Sequence, residues 1–77
     1  MKSSISRERL QSYFEADDLE RLYSAFLTIY TENTNGNELD EPIKRDLRDF
    51  LLKSPNLEAV IEKLEGLVET YQHYFHK

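Results

Sequence analysis

The apolar positions of this chain recur at intervals of three and four over most of its length, and no stretch alternates with period two. The clearest run is Leu19, Leu22, Tyr23, Phe26, Leu27 and Tyr30, whose spacing gathers large side chains on one face of a helix. Asp17, with Glu20 three residues on, fits a capping box at its entrance, in which each side chain satisfies a free backbone donor. The pattern predicts a helix over 18–33. A shorter run ahead of it, Leu10, Tyr13 and Phe14 among Arg7, Glu8, Arg9 and Gln11, predicts a first helix over 6–16.

After Tyr30 the segment Thr31–Asn37 is rich in Asn and Thr, whose side chains compete for backbone groups, and its Gly36 can take positive φ. It reads as a loop. Pro42 fits the first turn of a third helix opened by Asp40 or Glu41, with Ile43, Leu47, Phe50 and Leu51 as its apolar face. That helix spans 41–53, because Pro55 biases Ser54 away from helical angles. Ser54 then reads as an N-cap and Pro55 as the first residue of a fourth helix over 55–75. Its stripe is Leu57, Ile61, Leu64, Val68, Tyr71 and Phe75, widened by Val60, Leu67 and Tyr74. Gly66 in mid-helix costs about 1 kcal/mol against Ala and suggests a close helix approach. The expected fold is all-α: a compact antiparallel bundle of three to four amphipathic helices, forming one domain over 1–77.

Length and composition narrow the function classes. A domain of 77 residues buries roughly 60% of its unfolded surface, which leaves little room for a large catalytic cleft. There is no cysteine, so disulfides, thiolate zinc sites and thiol nucleophiles are excluded together. No apolar run approaches the ~20 residues of a membrane span, and Met1–Arg9 has no apolar core resembling a signal peptide; the expectation is a cytoplasmic protein without a membrane partner. Ten Lys and Arg against fifteen Asp and Glu give a formal charge of −5, which opposes a phosphate backbone and favours basic surfaces. Nucleic acid is therefore not an expected partner. With no glycine-rich phosphate loop and both histidines at the tail, an enzyme is not expected and no catalytic residue or cofactor is assigned.

Three constellations carry candidate chemistry. Glu58, Glu62, Glu65 and Glu69 follow one another at four, three and four, which lines four carboxylates along one ridge of the fourth helix, away from its apolar stripe. Like charges at this spacing work against helix stability, and Lys63 is the near neighbour in sequence able to offset them; the ridge reads as a recognition surface for a basic partner or as a solvated face. Tyr74, on the margin of the stripe, is a candidate interface anchor. Glu69, His73 and His76 share helical spacing, but they provide no fourth ligand and no catalytic glutamate of the H-E-x-x-H kind, so no metal is assigned there. Arg7 and Arg9 are too few for a polybasic arm, and Lys44, Arg45 and Arg48 alternate with Asp46 and Asp49 as on a solvent face.

The segment from Thr31 to Pro42 resembles an EF-hand loop in placing Asn33, Asn35 and Gly36 where that motif has two oxygen ligands and its turn glycine; it departs in having Thr31 first and Pro42 last. The resemblance implies a degenerate helix-loop-helix calcium-binding protein. In size, acidity and helical pattern the chain also resembles the small acidic proteins that neutralise toxins, as bacterial immunity proteins do, although no motif carries that likeness. The leading expectation is a small acidic adaptor or inhibitor that recognises a basic or apolar surface of another protein. The alternative is a homodimer completed through the stripe of the fourth helix.

Overall fold

The computed structural model describes residues 7–75, the last by its backbone alone. It contains α1 (Arg7–Glu15), α2 (Leu19–Glu32), α3 (Glu41–Lys53) and α4 (Leu57–Phe75), and no strand among the described residues. The all-α bundle is as expected. No helix among the described residues is long and apolar enough to cross a membrane.

α2 is the central element: it packs against α1, α3 and α4, and α1 also touches α4. A helix with neighbours on several sides buries a wide arc. Leu22, Ala25, Phe26, Ile29 and Tyr30 are buried, whereas Leu19, Tyr23 and Leu27 are only partly so. The face read from the sequence is thus rotated toward Ala25 and Ile29. On α3, Leu47 and Leu51 face the core, Phe50 is half-buried and Ile43 is exposed. On α4 the buried set is Val60, Ile61, Leu64 and Val68, so Val60, expected at the margin, lies at the centre. Nothing after Val68 on α4 is buried among the described side chains.

Helix boundaries differ from expectation at four ends among the described residues, each for a local reason. The first helix, expected over 6–16, stops at Glu15; its expected start at Ser6 lies outside the described residues. Asp17 takes φ 59°, its N–H bonds the Phe14 carbonyl, and the Asp18 N–H bonds the Tyr13 carbonyl. This is a Schellman ending with an aspartate in the left-handed position that glycine usually fills. Asp17 is therefore unavailable as the cap of α2, which spans 19–32 instead of 18–33. Asp18 takes that role, its carboxylate accepting from the Arg21 N–H at 3.2 Å.

The fourth helix begins at Leu57, two residues later than expected. Ser54 turns back on α3, its hydroxyl donating to the Phe50 carbonyl at 2.8 Å. Asn56 caps α4, accepting from the Ala59 N–H at 2.9 Å. Gly66 marks no close approach: a Cβ there would meet nothing within 4 Å.

The loop after α2 is tied down by its own side chains. Thr34 is only 1% exposed, and its hydroxyl donates to the Tyr30 carbonyl at 2.7 Å. Asn33 donates to the Ile29 carbonyl at 2.8 Å and Asn37 to the Tyr30 hydroxyl at 2.8 Å. Asn35 and Gly36 take φ values of 58° and 81°, where Asn is tolerated and Gly unstrained. Of the Asn residues in the EF-hand-like stretch, Asn33 thus caps α2, Asn35 takes a left-handed turn position and Asn37 holds the Tyr30 hydroxyl.

Candidate protein-interaction surfaces

All four glutamates of α4 are exposed, and the ridge faces solvent because Val60, Leu64 and Val68 turn the opposite side inward. They are not equivalent. Glu58, in the first turn, accepts a hydrogen bond and ion pair from Arg7 of α1, and this contact holds its carboxyl below the usual carboxylate range. The partner that offsets the ridge is therefore Arg7, fifty-one residues away in sequence, and not Lys63. The Lys63 ammonium lies 5.4 Å from the ring centroid of Phe50, on the α3 side. Among the described residues no cation pairs with Glu62, Glu65 or Glu69.

Arg45 of α3 forms no ion pair among the described residues, but most of the other cations are engaged away from the ridge. Arg9 reaches Glu32 at 3.7 Å and thereby links α1 to α2. Arg48 engages both carboxylate oxygens of Glu20, joining α3 to α2, and its guanidinium carbon lies 5.5 Å from the Tyr23 ring centroid. This contact holds the Glu20 carboxyl below its ordinary range. Arg48 is thus a cross-helix tie, where the sequence suggested only a charged solvent face. Arg21, Lys44 and Lys53 pair within their own helices or caps.

Tyr74 is 68% exposed and edge-on to His73, with ring centroids 5.5 Å apart. At roughly 100° per residue it lies more than a quarter-turn from every ridge glutamate, so the candidate anchor and the ridge do not share a face. Of the metal-type triad Glu69, His73 and His76, the last lies outside the described residues. No group of three or more metal-type ligands occurs among those described.

A second surface was not anticipated. A groove of about 440 Å³ runs between the end of α1, the start of α2 and the end of α3. Phe14, Leu19, Leu22 and Leu52 supply its apolar lining, and Glu15 and Asp17 stand at its edge. Leu52 is 66% exposed. Its signal was legible: at roughly 100° per residue, Leu52 falls well off the α3 face carrying Leu47 and Leu51. The edge depends on folding, since Glu15 and Asp17 reach the same groove as Leu52 only when the ends of α1 and α3 are brought together around the start of α2.

No protein-family model matches this chain, and no curated protein or solved structure is significantly similar to it.

Proposed function

We propose that this chain is a small acidic, non-catalytic protein-binding module whose partner presents a basic surface, and that it meets the partner on the outward face of α4. The observation that carries this reading is the division of charge. Arg7, Arg9 and Arg48 are drawn into ties between helices, while Glu62, Glu65 and Glu69 stay exposed, in register and unpaired among the described residues. Like charges at three and four residues oppose the helix that carries them. A cation brought by a partner would relieve that repulsion, and long-range attraction would accelerate encounter. The description covers both an adaptor and an inhibitor. A homodimer through the α4 stripe is the less favoured reading, because Val60, Ile61, Leu64 and Val68 are already buried within one chain.

Paired affinity columns test the reading, one carrying the wild-type chain and the other E62Q/E65Q/E69Q. A protein retained by the first at low salt, released as salt rises and not retained by the second supports it. Equal retention on both columns contradicts it.

A further inference from the structure

We infer that the groove between the ends of α1 and α3 is a docking site for a partner segment that inserts a large apolar side chain flanked by lysine or arginine. This site is separate from the α4 ridge. Its lining is mainly apolar, with Asp18 and Ser54 among it, and is open to solvent at Leu52, the kind of feature that marks an interaction site when it is bordered by polar groups. The volume, about 440 Å³, lies in the range of pockets that accept ligands or anchoring side chains.

The border decides the chemistry of the occupant. Glu15 and Asp17 are exposed, and no cation pairs with either among the described residues. The contacts of Glu15 include a hydrogen bond accepted from the Gln11 amide at 2.9 Å, which leaves its charge uncompensated. Two helix ends add to this potential. α1 and α3 both finish at the groove, at Glu15 and Lys53, and their C-terminal dipole ends favour cations. α1 has no basic residue in its last turn, and Lys53 of α3 is already held by Asp49 at 3.1 Å. Opposing these, the α2 N-terminus opens here too with Arg21 beside it, and the single carboxylate of Asp18 both caps that end and pairs with Arg21 at 3.6 Å, which leaves Glu15 and Asp17 as the uncompensated charges. The sum is an apolar slot in a negative field. It suits a Leu- or Phe-sized side chain between cations and disfavours an acidic segment.

The test is a methyl-detected NMR titration of the full chain with a capped peptide bearing leucines flanked by lysines, beside a control in which glutamates replace the lysines. The expected result is saturable shifts at the Leu19, Leu22 and Leu52 methyls with the lysine peptide and none with the control. Leu52→Ser should abolish these shifts while leaving the thermal midpoint unchanged, since Leu52 is mostly exposed. E15Q/D17N should weaken binding about fivefold through the loss of two surface charge contacts. Asn is at home at the positive φ of Asp17, so that variant keeps its fold. Shifts confined to α4 would overturn the groove and leave the ridge reading standing. Concentration-dependent shifts of the same methyls without peptide would overturn it in favour of a second copy of the chain, and no shifts at all would overturn it outright.

Discussion

The guanidinium of Arg7 donates to the carboxylate of Glu58, joining the first turn of α1 to the first turn of α4. One member of an otherwise continuous acidic ridge is thereby assigned to the fold. Glu58→Gln should lower the thermal midpoint slightly, because an exposed pair contributes little but not nothing. E62Q/E65Q/E69Q should hold the midpoint or raise it by relieving like-charge pairs. Thermal unfolding followed by circular dichroism separates the two, and a loss of the same size in both variants would show that the Arg7 contact adds nothing.

A second prediction concerns pH. Glu20 sits below its ordinary carboxyl range because Arg48 hydrogen-bonds and faces its charge. Its folded pKa lies under the unfolded one, so the unfolded chain binds more protons between the two values and stability rises with pH there. The contribution is complete above the ordinary value of 4.5 and fades as pH falls through the depressed one. Wild type should therefore exceed Arg48→Gln in urea midpoint at neutral pH, with the gap closing below that value. A gap that stayed constant into acid would assign the effect to packing of Arg48 on Tyr23.

Two glycines should respond with opposite sign. Gly66→Ala adds a methyl group where nothing lies within 4 Å and should stabilise the chain by about 1 kcal/mol through helix propensity. Gly36→Ala, at φ +81°, should destabilise it by about 1 kcal/mol or more, because an L side chain is strained there. Urea unfolding of both variants checks the assignment.

The core is tested by truncation. Phe26 and Leu64 are fully buried, and replacing either by Ala should cost about 2–5 kcal/mol, a large share of the stability of so small a domain. Denaturant unfolding measures both, and a loss under about 0.5 kcal/mol at either site would contradict its place in the core.

These assignments show what one-dimensional pattern could and could not carry. Helix identity was legible because apolar spacing at three and four is a local signal, and α3 falls on its expected bounds. Caps were less so: Asp17 and Asp18 are chemically identical, and only the backbone of Asp17 decides that one ends α1 and the other opens α2. The centre of the α2 face was misplaced because Ala25 is small and the burial of Ile29 depends on how many neighbours α2 has. The ridge was visible as spacing, whereas the pairing of Glu58 with Arg7 and the groove at Leu52 arise from residues far apart in sequence.

The central claim, recognition of a basic partner by the outward face of α4, is tested most directly by association kinetics. Surface plasmon resonance would compare wild type and E62Q/E65Q/E69Q against the protein retained by the wild-type column, at low salt and at ionic strength above 0.1 M, where the Debye length is ~10 Å. The account predicts a faster wild-type on-rate at low salt, a steep fall with added salt, a slower and flatter on-rate for the variant, and dissociation rates that differ much less. Equal on-rates for the two chains at low salt would contradict it.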